Sequence, residues 1–573
     1  MRKFQPYSSL YRVVLSLLFL CWLMQESAWA QEQALLLPET SGESIILSCD
    51  REIYGSGEQI HYLTYYNGPE EFKSASWSTV LYVELISWDG TKQASSKILI
   101  DNGGVNGKIG IPENIPSGVY YLRAYTRWMR NYSPISYTYL PLKILNPHSQ
   151  EILASPMEGE TNLQAMDRAV ASLADEIVWS GLKDQYGTRE QVEFEIQLPE
   201  ALISGSYSLG IAKTLSQSSG DYTKVLEHET EKGQGKIEFL PEINGLTLSG
   251  AIIDSESSAP VANARLQLSS YSDPFLYAEV LSGKDGSFLF SLPHFTGNPE
   301  LHIAEATDSL VSHKILLASE FCNKPVHLPY IPLQIDSTKQ SVVKEILVNT
   351  QLKARYEEDA VHSDNSEGLY PAFYGNGASL TYVRDYIELS DLREFIYEII
   401  PQVSISSNGN GSFITIQGPS CMDIYPPLIL MDNIQVPNNE ELLNIPSKRI
   451  ERIEVLNQAY MVGNTRYSGI LSIYSSKKDM SGVAQEGERH FFNLHMLDDE
   501  DPGKEHAADP MESSLPDIRN LLYWEASVSF SEEGTFRVTF STPDSPGSYI
   551  LTLRGTDPVN SGSVLGKALI SVK

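Results

Sequence analysis

Ser117-Gly118-Val119-Tyr120-Tyr121-Leu122-Arg123-Ala124-Tyr125-Thr126 opens on a turn signal and then alternates. Tyr120, Leu122 and Ala124 fall on one face of a strand, and Tyr121 on the other. Upstream, Val80-Leu81-Tyr82-Val83-Glu84-Leu85-Ile86 is a second strand, followed by the turn Trp88-Asp89-Gly90. Few segments before residue 330 show the i, i+3, i+4 apolar spacing of a helix. Short strands broken by Gly, Pro and Asn predict a mainly β chain of tandem β-sandwich modules. The 31 tyrosines, beside 18 Phe and 7 Trp, fit strand-rich structure.

Two internal echoes extend this reading. Tyr54-Gly55-Ser56-Gly57-Glu58-Gln59-Ile60 recurs as Tyr186-Gly187-Thr188-Arg189-Glu190-Gln191-Val192. A Gly-x-Tyr-x-Leu pattern occurs at Gly118/Tyr120/Leu122, Gly205/Tyr207/Leu209 and Gly547/Tyr549/Leu551. The spacing between the two echoes differs from copy to copy, which predicts repeated sandwich modules and not a solenoid.

The chain has 573 residues, enough for several domains. Its 42 basic and 73 acidic residues give a net charge of −31, which argues against a nucleic-acid partner and a polybasic membrane surface. Arg2, Lys3 and Arg12 precede an apolar run, Val13–Met24, and Ala28-Trp29-Ala30 supplies small residues at the cleavage positions. Residues 1–30 read as a secretory signal peptide. No stretch is long and apolar enough for a transmembrane helix. Cys49, Cys322 and Cys421 then remain, too few and too far apart for a disulfide framework or a metal site. They read as buried small hydrophobes.

The stretch Asp50–Glu58, the strand Leu81–Leu85 and Pro116–Thr126 with its continuation Arg127-Trp128-Met129-Arg130-Asn131 resemble the macroglobulin-type domain of alpha-2-macroglobulins, in the form seen in secreted proteins of the Bacteroidota. The resemblance implies a β-sandwich over 31–146, and the second echo a related one over 147–242. Leu248-Ser249-Gly250, Ala259-Pro260-Val261 and Lys284-Asp285-Gly286-Ser287-Phe288-Leu289-Phe290 resemble the carboxypeptidase regulatory-like fold, an accessory sandwich, over 243–330. Residues 331–369 read as a linker.

Further on, Leu392, Phe395, Ile396, Ile399 and Ile400 have helical spacing, ended by Pro401, and Asn408-Gly409-Asn410-Gly411 marks a hairpin. Pro427-Leu428-Ile429-Leu430-Met431-Asp432-Asn433-Ile434-Gln435-Val436, then Ile450-Glu451-Arg452-Ile453-Glu454-Val455, then Ser468-Gly469-Ile470-Leu471-Ser472-Ile473 follow. The series resembles the plug domain of TonB-dependent outer-membrane receptors, over 370–480. Asn433 stands where that pattern has a turn Gly, and Asn tolerates positive φ. The 93 residues after Met480 are too few for the receptor's large barrel, so a plug-like α+β domain without a pore is expected. Residues 481–515 read as an acidic linker. Residues 516–573 read as a short β tail similar to terminal macroglobulin-like strands, or to a type IX secretion sorting domain.

No catalytic constellation stands out. Cys322 is followed by Asn-Lys-Pro and Cys421 by Met-Asp-Ile, so neither can form the Cys-Gly-Glu-Gln thioester of alpha-2-macroglobulins. His228-Glu229 is followed by Lys232 where a zinc-protease helix carries its second His. His490, His495 and His506 near Asp498-Asp499-Glu500-Asp501 could gather a cation, but read better as incidental histidines in a solvated segment. Tyr120, Tyr121, Tyr125, Trp128 and Met129 offer a stacking surface or a packed sheet face, and Arg123, Arg127 and Arg130 read as solvated or paired. No catalytic, cofactor-binding or metal residue is assigned, and no cofactor is expected. The expectation is a non-enzymatic cell-envelope scaffold, exported to the periplasm, outer membrane or cell surface. Its partner would be an outer-membrane or periplasmic protein, a barrel among the candidates; the alternative is a surface-exposed glycan- or ligand-binding protein.

Overall fold

The structure, a computed structural model, describes residues 37–69, 77–100, 104–155, 176–214, 237–270, 275–306, 313–333, 340–357, 372–408, 411–418, 421, 424–436, 438–463, 465–480, 483, 489–498, 504–506, 516–556 and 563–573. The signal-peptide segment 1–30 and the His228-Glu229 pair lie outside them. The fold is mainly β, as the strand patterning predicts. Two compact units divide the chain: Met1–Ile243 with Cys322–Val361 and Glu500–Lys573, and Asn244–Phe321 with His362–Asp499. No helix among the described residues is long and apolar enough to cross a membrane.

The first unit contains two sandwiches. In the first, Ile53–Gly55, Thr138–Leu145, Gly118–Thr126, Val80–Ile86 and Lys92–Leu99 form one sheet in that order. The facing sheet is Ser44–Cys49, Gln59–Asn67 and Gly104–Gly110. Val80–Ile86 and Gly118–Thr126 are buried at every position, so both of their faces are covered. One face packs into the sandwich. On the other lie the segments that flank the third sandwich in sequence. Thr79 Oγ1 donates to Glu242 O at 2.6 Å, and Tyr121 OH donates to Pro329 O at 2.5 Å.

The second sandwich is assembled from two distant stretches. Val178–Ser180, Gln191–Gln197 and Thr535–Ser541 form one sheet. The other runs Gln185–Tyr186, Ser563–Val572, Gly547–Thr556, Tyr207–Lys213, Leu521–Val528 and Lys504–His506. Residues 147–242 and 516–573, separated in the sequence reading, therefore complete one another. Strand patterning identifies each strand but carries nothing about a partner several hundred residues away. One core joins them, with Val192, Ile196, Leu209 and Ile211 packed among Val538, Leu551 and Leu553.

The two sandwiches share one strand order. Tyr207–Lys213 and Leu521–Val528 occupy the places of Val80–Ile86 and Lys92–Leu99. In the first sandwich a tight turn joins that pair, closed by Ser87 N donating to Thr91 O at 3.0 Å. In the second, Lys213 N donates to Asn520 O at 2.8 Å, and everything between those residues is inserted at the equivalent place. This also explains the unequal spacing of the echoes: the counterpart of Tyr120 is Tyr549, not Tyr207. All three tyrosines donate from OH to a carbonyl a few residues upstream: Tyr120 to Pro116 at 2.8 Å, Tyr207 to Leu202 at 2.7 Å and Tyr549 to Ser545 at 2.8 Å.

The sequence-read linker 331–369 contains a helix, Gln340–Glu357. Its buried positions include Val343, Ile346, Asn349 and Thr350, so half of that face is polar and the apolar period is weak. The polar half closes the neck of the insertion. Asn349 Nδ2 donates to Asn520 Oδ1 at 3.1 Å, and Asn520 Nδ2 to Glu58 Oε1 at 3.2 Å. Lys213 Nζ lies 2.9 Å from Glu345 Oε1 and donates to Ser545 Oγ at 2.6 Å.

The second unit holds the third sandwich and an α+β domain. The sandwich pairs Ser287–Ser291, Thr247–Asp254 and His313–Leu317 against Tyr277–Leu281, Arg265–Ser270, Glu300–Glu305 and Arg489–Asn493. That last strand comes from the segment read as the acidic linker 481–515. The α+β domain has the sheet Ser379–Tyr382, Ile450–Leu456, Ile470–Ser475, Leu428–Met431 and Ile434–Gln435, with the helices Leu392–Ile399 and Asn439–Leu443. The helix expected before Pro401 is capped at Asp391, whose Oδ1 accepts from Glu394 N at 2.9 Å, and Glu394 Oε2 accepts from Ser390 N at 2.8 Å. Val403–Asn408 and Gly411–Ile416 pair as the expected hairpin. Asp432 and Asn433 turn at φ 47° and 65°. Asp432 Oδ1 accepts from Ser475 N at 2.7 Å and Oδ2 from Met480 N at 2.8 Å.

Candidate functional site

The aromatic segment that sequence offers as a stacking surface is closed. Tyr120, Tyr121, Tyr125, Trp128 and Met129 are all buried. Tyr125 stacks between Tyr82, at 5.5 Å, and Tyr137, at 4.6 Å. Its hydroxyl donates to Glu84 Oε2 at 2.8 Å and accepts from Cys322 N at 2.8 Å. Arg123 Nη2 meets the same Glu84 oxygen at 2.7 Å. Arg127 and Arg130 lie over the Phe239 ring, at 5.3 and 4.1 Å. These are structural contacts, fixed by chain segments that cover the sheet.

Cys49, Cys322 and Cys421 are free. Cys49 and Cys322 are buried, and Cys421 is half-buried against the α+β core. Burial pushes the Cys49 thiol up to about 12, which removes it from nucleophilic chemistry at neutral pH. His490 sits on the strand Arg489–Asn493, and His495 Nε2 contacts Asp498 Oδ1 at 3.0 Å. His506 belongs to a strand of the first unit. Among the described residues no group of three or more metal-type side chains comes together.

Among the described residues, two clefts lie in the second unit. A cleft of about 570 Å³ runs between the edge strand Tyr277–Leu281 and the α+β domain, lined by Phe275, Tyr277, Phe373, Tyr460 and Met461 among others. Tyr277 stacks on Phe373 at 5.3 Å, and Tyr460 OH donates to Phe373 O at 3.1 Å. Gly463 turns at φ 54°, where an added Cβ would come within 2.4 Å of Glu279 O, so the Tyr460–Val462 hairpin can lie directly on that edge.

Behind this cleft the outer face of the third sandwich is polar. Gln267, Glu279 and His302 are buried there. Glu279 Oε1 accepts from Tyr277 OH at 2.7 Å, from Gln267 Nε2 at 3.0 Å and from Tyr467 OH. A second pocket, of about 320 Å³, adjoins it and is lined by Arg265, Gln267, His302, Gln435 and Tyr467 together with apolar residues of the α+β domain. The His302 ring lies 4.7 Å from Phe491, and its buried Nε2 has no hydrogen-bond partner among the described residues. Burial, with the Arg489 charge adding, pushes His302 down to about 4, so the imidazole is neutral near neutral pH.

The α+β domain also exposes large apolar side chains. Ile387 is 78% exposed, Tyr397 81%, Ile424 81% and Met461 63%. Met461 lies opposite Arg466, whose Nη1 donates to Tyr425 OH at 3.0 Å, so Met461 and Ile424 belong to one neighbourhood. Of the pocket residues, Ile429, Ile434, Gln435 and Val436 belong to the stretch 427–436 singled out in the sequence, while Gln267 and His302 belong to no motif. They come from separate segments, and Arg265 or His302 alone is an ordinary strand residue.

No family model matches the chain, and no curated protein matches it. Among solved structures, the native conformation of Escherichia coli alpha-2-macroglobulin is similar over 94% of this chain and 41% of its own length, at 10% identity and a TM-score of 0.23. Salmonella alpha-2-macroglobulin reacted with methylamine is similar over 94% and 40%, at 8% identity and a TM-score of 0.22. The tetra-tandem repeat in the extending region of a large adhesion protein is covered to 99%, at 7% identity and a TM-score of 0.13. The chain spans about two fifths of the length of the macroglobulins it matches.

Proposed function

We propose that the chain is a non-catalytic cell-envelope protein, a scaffold whose plug-like domain over 370–480 docks onto an outer-membrane or periplasmic protein. The observation that carries this reading is the exposure of Ile387, Tyr397, Ile424 and Met461 on one small domain. Large exposed apolar side chains gathered on one domain favour association with another surface. The macroglobulin-type and carboxypeptidase-regulatory-type resemblances add modules suited to spacing and presentation, and the apolar run before Ala30 adds export. In-cell crosslinking with mass spectrometry on envelope fractions tests the proposal. It expects crosslinks from residues 370–480 to an envelope protein, a barrel among the candidates, and their loss in an Ile387→Asp/Tyr397→Asp variant. Crosslinks confined to the sandwiches would remove the docking role.

The aromatic cleft of about 570 Å³ favours a second reading, a glycan- or ligand-binding protein. Tyr277, Phe373 and Tyr460 would supply stacking faces. Glycan arrays probed with the full chain would retain no sugar if this reading is wrong.

A further inference from the structure

We propose that the pocket of about 320 Å³ between the third sandwich and the α+β domain binds a small monocarboxylate with an apolar body, held by Arg265. Arg265 is half-buried, and its guanidinium makes no hydrogen bond or ion pair among the described residues. A guanidinium removed from bulk water favours an anionic partner, and its planar fork fits the two oxygens of a carboxylate.

The acids nearby already have partners. Glu305 lies 2.8 Å from His313 Nδ1, and Glu279 Oε1 accepts from Tyr277, Gln267 and Tyr467. Neither acid hydrogen-bonds or ion-pairs with Arg265. The presence of two carboxylates in the surroundings favours a monoanion over a doubly charged phosphate.

His302 adds a second, independent mark. It lines the same pocket, it is 2% exposed, and its Nε2 is an unpartnered polar atom. A buried nitrogen without a partner carries a desolvation cost that a ligand oxygen would relieve. The facing wall supplies the apolar Phe413, Ile429, Ile434 and Val436 beside the polar Gln435, Asn439 and Tyr467. Charge and donors on one side and hydrocarbon on the other define an amphipathic acid. The volume lies at the small end of ligand pockets, so the body is short.

The test is calorimetric titration of the full chain with hexanoate, hexan-1-ol and hexylamine. Hexanoate is expected to bind at least tenfold more tightly than the alcohol or the amine. Arg265→Gln should weaken hexanoate at least tenfold and leave the alcohol unchanged, with folding checked by circular dichroism. Ala304→Leu, which fills the pocket and removes no charge, should weaken both. A leucine-terminated peptide with a free carboxylate, compared with its amide, separates the two sources of this chemistry: tighter binding of the free peptide than of hexanoate points to a chain terminus, weaker binding to a free acid. Equal binding of hexanoate and hexanol, or full hexanoate affinity in Arg265→Gln, would overturn the proposal. The docking role of the α+β domain stands or falls separately, on the crosslinks.

Discussion

Arg123 carries a full charge at 2% exposure and meets Glu84, which has none. Their contacts at 2.7 and 2.8 Å offset the desolvation of both groups. Removing one partner leaves the other buried and unmatched. Glu84→Gln is therefore expected to lower stability by about 3 kcal/mol in urea unfolding, and the double variant Glu84→Leu/Arg123→Met to recover part of the loss. His302 gives a pH dependence of known sign. Its folded value of about 4 lies below the ordinary histidine value of 6.5, so the unfolded chain binds the proton more readily between them. Its contribution is intact above pH 6.5 and is lost progressively as the pH falls to about 4, by up to about 3 kcal/mol. Urea unfolding at pH 7.5 and 4.5 measures this, and His302→Asn should flatten the slope. For Arg123 the sequence left solvation and pairing with an acid both open, and the structure shows the pairing. His302 was not legible from sequence, because its isolation depends on Phe491, which belongs to another segment.

At the scale of the element, the repeated Tyr-Gly-x-x-Glu turn has a physical basis. Glu58 Oε2 accepts from Gly55 N at 2.8 Å, and Glu190 Oε2 from Gly187 N at 2.7 Å. A cation three residues before the tyrosine lies over its ring in both copies, Arg51 at 4.6 Å and Lys183 at 5.4 Å. The surroundings differ. Both glutamates meet that cation, Glu58 with Arg51 Nη2 at 3.3 Å and Glu190 with Lys183 Nζ at 3.3 Å, but Glu58 is buried and also meets Asn520 at 3.2 Å, whereas Glu190 is partly exposed. Glu58→Ala should cost about 3 kcal/mol and Glu190→Ala clearly less, as ranked by thermal melts of the two variants. Strands, turns, the capped helix and the Asn408–Gly411 hairpin were legible because each is written in local residues. The helix Gln340–Glu357 was hidden because Asn349 and Thr350 stand where an apolar stripe would show it. The carboxylate pocket was illegible for a related reason: its lining alternates between two folds and has no common period.

For the molecule as a whole, the pairing of Tyr207–Lys213 with Leu521–Val528 and Gly547–Thr556 makes the second sandwich depend on the last strands. Deleting 516–573 should expose Val192, Ile196, Leu209 and Ile211 and open residues 178–213 to limited proteolysis. Protection of 178–213 equal to that in the full chain would contradict this. The equivalent sandwich closes its hairpin with a short turn, while this one closes over roughly 300 residues, at an entropic cost roughly 4 kcal/mol higher if the insert were a free coil. A folded insert whose ends lie close together removes most of that cost, and the Asn349–Asn520 and Lys213–Glu345 contacts hold the ends. Time order follows from this. As the chain emerges from its N-terminus, the half-sandwich at 178–213 waits, apolar and unsealed, until the insert has folded and the final strands arrive. For that interval it is the stretch most in need of a chaperone.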